Sequence, residues 1–262
     1  MFSKRGITAA LAVAASGAAF AQATPSYESV NLGDTPVNRG RAGGAIVSSR
    51  AYLGSDERRT LLLPVVEYQW ASGWFAGVGN GVGYAYSPRA GTQLGARLTL
   101  DFGRQESRSS ALRGMGDINP HPEIGVFWNQ SLFEGFFLTS SVRLGAGGSG
   151  ALGDVGLGWA YAVTSQTRLR VVASATLANS SYMQDFFGVT AQQAAASGYA
   201  EYHPSAGVRD VRGVVGVTHA FTPALALSAS LGFSELRGDA RTSPLTRDAS
   251  APRGVLALTY GF

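Results

Sequence analysis

The sequence predicts an all-β protein, a transmembrane up-and-down antiparallel β-barrel closed by a C-terminal aromatic strand. Twelve strands fit best, with ten as the alternative. Three observations carry this expectation. Apolar and small polar residues alternate with a period of two from about residue 41 to the end. Segments of ten or more such residues recur, which is what a tilted membrane crossing by a strand needs. The polar half of the alternation is mostly Gly, Ser, Thr and Ala with isolated charges. A soluble sheet normally carries more Lys and Glu on its outer face.

Eleven segments alternate: 41–52, 60–70, 73–87, 91–104, 119–131, 134–146, 151–163, 166–178, 206–220, 223–237 and 251–262. Single-chain bacterial barrels have an even number of strands because both ends lie on the same side. The segment 73–87 contains the hairpin signal Asn80-Gly81. Trp74, Ala76, Val78, Val82, Tyr84 and Tyr86 nevertheless keep one parity through it. A two-residue turn would flip that parity and a three-residue turn would not, so a split at this point gives twelve.

Parity then assigns faces. Leu94, Ala96, Leu98 and Leu100 point outward, as do Ile124, Val126 and Trp128, Val155, Leu157, Trp159 and Tyr161, and Leu256, Leu258, Tyr260 and Phe262. The opposite parity places Arg97, Asp101, Glu123, Arg143, Asp154, Arg168, Arg170, Asp210 and Arg212 in the lumen, together with Glu67. Near-balanced charge predicts an ion-pair network, because an unpaired buried charge is costly unless hydrated. The alternative is a water channel with a charged constriction. Aromatic residues near strand ends predict interfacial girdles.

Short connections at 131–135, 164–166 and 222–223 predict periplasmic turns. Longer ones at 105–120, 178–205 and 238–252 predict extracellular loops. The loop 181–198 breaks the strand rhythm and is unusually apolar, with Tyr182, Met183, Phe186 and Phe187. These side chains are expected to fold over the barrel mouth as a lid. The alternative is a contact surface for a partner. Thr190 is positioned to cap a short helix through Ser197.

The N-terminus predicts export. Lys4 and Arg5 form a basic n-region, Ile7 to Gly17 an apolar core, and Ala19-Phe20-Ala21 a cleavage site before Gln22. The expected organisation is a signal peptide at 1–21, a periplasmic segment at 22–39 and a barrel domain at 40–262. The apolar run is too short to span a membrane. At the other end, Phe262 with Tyr260 two residues before it fits the signal read by barrel-assembly machinery.

Composition excludes several chemistries. The absence of cysteine removes disulfides, thiolate metal sites and thiol catalysis. The formal charge of +4, lowered by two when Lys4 and Arg5 leave with the leader, is too weak and scattered for nucleic acid. His121, His203 and His219 lack the spacing of a metal pair. A lipid hydrolase built on a Ser-His dyad is the remaining enzymatic alternative, and no G-x-S-x-G elbow supports it. The expectation is a protein without catalytic residues, metal or cofactor.

Four stretches carry a resemblance. Tyr52–Trp70, YLGSDERRTLLLPVVEYQW, fits a first hairpin. Gly103–Ile118, GRQESRSSALRGMGDI, fits a loop that ends in Leu-x-Gly-Met-Gly-Asp. Tyr182–Val211, YMQDFFGVTAQQAAASGYAEYHPSAGVRDV, is the most distinctive block. Gly238–Asp248, GDARTSPLTRD, precedes the terminal Tyr-Gly-Phe. Across residues 40–262 the chain resembles the MipA/OmpV family, the MltA-interacting proteins. The resemblance implies an outer-membrane location in a Gram-negative bacterium, with outer-membrane lipid and the barrel-assembly machinery as partners. For the family's namesake it implies a scaffold linking a murein transglycosylase to a murein synthase. Other members imply adhesion or porin-like transport, and the family offers no catalytic residues to carry over.

Overall fold

The computed structural model describes residues 38–262; the proposed signal peptide and all but the end of the segment at 22–39 lie outside them. Twelve antiparallel strands form a closed barrel in which each strand pairs with its neighbours in sequence and β1 pairs with β12. The strands are β1 (Arg39–Arg50), β2 (Arg58–Gln69), β3 (Trp74–Gly77), β4 (Gly81–Arg89), β5 (Thr92–Asp101) and β6 (His121–Ser131). They continue as β7 (Phe136–Gly145), β8 (Ala151–Ala162), β9 (Thr167–Ala178), β10 (Gly207–Ala220), β11 (Leu225–Leu236) and β12 (Ser250–Gly261). The even count comes from the expected split. Gly77 faces Gly81 across a three-residue turn, and Trp74 still faces Tyr84 on one side of the wall. Gly81 closes that turn at φ +73°, a conformation glycine adopts without steric cost.

The two ends differ. At one end the connections 70–73, 90–91, 132–135, 163–166 and 221–224 are none longer than four residues. Both Arg39 and Phe262 lie at this end, where the backbones of Gly40 and Phe262 exchange hydrogen bonds of 2.8 and 3.0 Å. At the other end stand the loops 102–120, 179–206 and 237–249, with the shorter 51–57, 78–80 and 146–150 between them. Three helices occupy the long loops: α1 (Ser180–Phe187), α2 (Ala191–Ser197) and α3 (Gly238–Thr242).

The outer face of the wall carries exposed Leu62, Val82, Leu98, Ile124, Leu157, Leu231, Leu256 and Leu258. Exposed apolar side chains on every side of a closed sheet are what contact with lipid requires. All four tryptophans lie at the short-turn end: Trp70, Trp74, Trp128 and Trp159. Tyr84, Tyr86, Phe133, Tyr161, Phe221, Tyr260 and Phe262 join them there. Phe233 is the one large outward ring near the loop end of the described strands, so the expected pair of girdles is strongly one-sided.

Inside, aromatic rings lie over glycines on neighbouring strands. A Cβ at Gly95 would meet the Phe127 ring at 2.2 Å, and one at Gly158 the Phe137 ring at 2.1 Å. The missing side chain on one strand makes room for the large one on the next, which fills the lumen without widening it.

Candidate functional site: a capped mouth over a charged lumen

Helix α1 begins where β9 leaves the wall. Asn179 caps it, its side-chain oxygen accepting the Tyr182 N–H at 3.0 Å and the Ala151 N–H of β8 at 2.9 Å. One side chain thus satisfies the helix N-terminus and fixes it to the rim. Tyr182, Met183, Phe186 and Phe187 all turn inward and are buried against Leu152, Ala178, Leu236 and Ala240. The Tyr182 and Phe186 rings stack with centroids 4.4 Å apart. The sequence favours a lid over a partner surface for these rings, and in the structure they are packed against residues at the loop end of β8, β9 and β11.

The other loops lock onto α1 and onto each other. Arg104, almost fully buried, donates to the carbonyl of Phe186 at 2.8 Å, in the last turn of α1, where a cation also complements the helix dipole. Burial lowers the Arg104 pKa below its ordinary value. Ser243 donates to the Phe187 carbonyl at 2.6 Å, and Tyr52 donates to the Leu245 carbonyl at 2.9 Å. Burial first, and the nearby Tyr199 second, push the Tyr52 phenol up to about 12. Helix α2 starts with a capping box between Thr190 and Gln193 and ends at Gly198 in the left-handed conformation. Its Gln193 side chain donates to the Met115 carbonyl at 2.8 Å. Tyr199 donates to the Ala111 carbonyl at 2.9 Å, and Tyr202 to the Asp239 carbonyl at 2.9 Å. Loops far apart in sequence therefore form one cross-braced layer.

Beneath this layer lies the charge network. Arg143 bridges Glu123 at 2.9 Å and Asp154 at 3.2 Å. Thr176 donates to Asp154 at 2.7 Å, and Thr99 to Glu123 at 3.1 Å. Arg212 binds Asp210 at 2.6 Å and reaches Thr176 at 3.2 Å. Asp101 sits beside Glu123 and accepts the Gly103 N–H at 2.7 Å. The wall from β5 to β10 is thus linked across its inner face. The lid joins it through Tyr182, whose phenol accepts from Arg209 at 2.8 Å and lies under that guanidinium at 5.3 Å. Burial raises the Tyr182 pKa, so it stays a neutral phenol.

The structure thus brings together Asp101, Glu123, Arg143, Asp154, Asp210 and Arg212 from the expected set. Arg97 lies over the Phe127 ring at 5.7 Å and Arg170 over the Phe137 ring at 4.6 Å. Arg168 is exposed near a short turn and makes no ion pair among the described residues. Glu67 pairs with Arg41 at 2.6 Å, and Asn80 adds a 3.3 Å hydrogen bond to it. Arg209 is a member of this network that parity missed. It pairs with Asp210 at 2.6 Å although the two are adjacent in sequence. The ladder between β9 and β10 shifts register between Val208 and Asp210, and this bulge turns Arg209 off the outer face.

The histidines stand apart. His121 contacts the Asn119 carbonyl, His203 the Gln184 side chain and His219 the Thr167 hydroxyl. No group of three metal-ligating side chains occurs among the described residues. The arrangement suits fixing the loops and filling the lumen.

Comparison with known proteins follows the fold. The chain is similar over its length to solved barrels at low identity. The COG4313 outer membrane channel from Pseudomonas putida F1 shares 12% identity, covers 89% of this chain and 98% of its own, and has a TM-score of 0.47. The KdgM porin shares 8% identity over 85% of this chain and 99% of its own, with a TM-score of 0.48. Among curated proteins none matches. The family described as "MltA-interacting protein MipA" matches residues 42–262, nearly the whole barrel, and the chain belongs to that family.

Proposed function

We propose that this chain is a non-enzymatic outer-membrane barrel that docks peptidoglycan-remodelling enzymes at the inner surface of that membrane. The observation that carries this reading is the braced loop layer with Tyr182, Phe186 and Phe187 buried over a cross-linked lumen. A barrel closed in this way has little use for its bore and is left with its rims as working surfaces. The family description, an interaction with MltA, names a partner of that kind for the family. With the start of β1, the end of β12 and the short turns at one end, that end faces the periplasm and the braced loops face outward. A murein transglycosylase and a murein synthase are the proposed partners. Exported chains reach the membrane through a signal peptide at 1–21 and through Tyr260 and Phe262, the proposed assembly signal.

The test is crosslinking in intact cells from residues of the short turns, such as Phe133 and Thr164, followed by identification of the captured proteins. Capture of murein enzymes supports docking. A second reading, transport or adhesion through the outer loops, draws on the size of those loops. Capture only from loop residues such as Ser107 or Glu201, with none from the turns, would favour it.

A further inference from the structure

One stretch of wall is incomplete. β3 has 4 residues, while β2 has 12. β2 meets β3 only from Glu67 to Gln69, with a last rung from the Val78 N–H to the Val66 carbonyl at 3.0 Å. Backbone groups of alternate residues point the same way along a strand. Thr60, Leu62 and Pro64 therefore aim their backbones at the side where β3 has ended. On the far side, β5 pairs with β4 only as far as Leu98. The short hairpin thus leaves a window between β2 and β5. Its sill is the turn 78–80, held by the hydrogen bond from Asn80 to Glu67. Its lintel is the loop 102–120, tied across to the β1–β2 loop by Ser109, which donates to Glu57 at 2.7 Å.

The window is apolar at the level of the lipid band and basic above it. Leu62 is 75% exposed and stands level with Ile46, which in turn faces Leu256. Val66, Leu98 and Leu100 are exposed beside it. Toward the loop end, Arg58 directly faces Arg50, an opposition of like charges that costs stability. Arg50 is bound by Asp248. The side chains of Arg58, Arg59 and Arg108 make no ion pair or hydrogen bond among the described residues. Arg108, on the lintel, lies near enough to Arg59 for the two to repel, with Asp117 nearby as a partial counter-charge. Of the acidic neighbours, Glu57 binds Ser109 and Asp117 binds the Glu106 N–H at 2.7 Å, while Asp56, two residues before Arg58, is exposed.

From this juxtaposition we propose that the window seats one anionic lipid of the outer leaflet, with its phosphorylated headgroup on Arg58, Arg59 and Arg108 and an acyl chain along Leu62, Pro64 and Val66. The proposal rests on the outer-membrane placement above but not on the docking role. Two features favour a lipid over an added protein strand. Pro64 removes an N–H from the middle of the open edge, so a strand pairing there would lose a rung, whereas a hydrocarbon chain loses nothing. Behind the edge, Leu63 is buried with Ala45, Val47 and Ala257, so the β2 side of the window is a packed wall against which an acyl chain can lie.

The test uses the purified barrel in phosphatidylcholine nanodiscs, titrated with bisphosphorylated lipid A and read by native mass spectrometry. The wild type should retain one lipid A per barrel. The triple variant R58Q/R59Q/R108Q should bind it about a hundredfold more weakly, as expected for three arginines at an anionic surface. The variant R237Q/R241Q, altered elsewhere on the same rim, should bind like the wild type. Dephosphorylated lipid A should bind weakly, inorganic phosphate should not compete, and wild-type affinity should fall with salt. Unchanged affinity in the triple variant, full competition by inorganic phosphate, a flat salt response, or barrel dimers in place of lipid adducts would each overturn the proposal. Membrane fractionation and heat-modifiable migration of the same proteins report the placement separately. Where the triple variant does not fold, the salt response and the dephosphorylated lipid decide on the wild type.

Discussion

The two ends of this barrel solve different problems with the same strands. The short-turn end is thin, with connections of at most four residues, and is ringed outside by four tryptophans and many other aromatic residues. The loop end has one large outward ring, Phe233, and keeps most of its other rings inside, in Tyr182, Phe186, Phe187, Tyr199 and Tyr202. Aromatic side chains at the first end have the geometry of an interfacial anchor, while at the second they pack a miniature core. The loop end thus behaves as a folded layer of its own, tied together by contacts such as Arg104 to Phe186 and fastened to the wall by Asn179 and Arg209.

That contrast can be broken most severely from beneath. Arg143→Ala would leave Glu123 and Asp154 buried without their shared cation, and removing one partner of a buried pair costs about 3–5 kcal/mol. Denaturant unfolding in detergent measures it, and an effect under 1 kcal/mol would mean the network is solvated. Phe187→Ala should cost a similar ~3–5 kcal/mol, since its ring is fully buried. The same truncation at Phe133, exposed on the short-turn rim, should have a much smaller effect on unfolding in detergent.

The wall offers a middle-sized test. Leu231→Arg places a charge on the lipid face at the middle of β11 and should cost ~2–4 kcal/mol, more than Ser230→Arg on the inner face. The reverse order of unfolding free energies would contradict the assigned register. The smallest expected effect is at α2. Thr190→Ala removes the capping box and should cost about 1 kcal/mol, seen as faster hydrogen exchange in 191–197 with the strands unaffected.

Much of the wall was legible before any coordinates. Period-two alternation assigned the outward faces of Leu94 to Leu100 and Leu256 to Phe262, because the pleat forces that alternation. The unbroken parity from Trp74 to Tyr86 allowed a three-residue turn, and the structure places one at 78–80, which makes the strand count even. Legibility failed where the pleat does. A bulge turned Arg209 inward against its parity, and nothing local announces a bulge there. Arg97 and Arg170 also lie over the Phe127 and Phe137 rings, which stand one or two strands away, so only the barrel's register reveals those contacts. The loop layer was visible as an apolar loop with Tyr182, Met183, Phe186 and Phe187. Its bracing by Tyr52, Arg104 and Ser243 depends on contacts between distant loops that no sequence period encodes. The one-sided girdle was hidden for a similar reason, since strand ends alternate between the two rims along the chain.

Single-channel conductance in planar bilayers reads directly whether the loop layer seals the bore. The wild-type barrel should show no steady conductance. The double variant Phe186→Ser/Phe187→Ser, which removes the two rings that hold α1 down, should open stable conducting steps while still migrating as a folded barrel. A wild-type barrel that already conducts at the level of the double variant would contradict the seal.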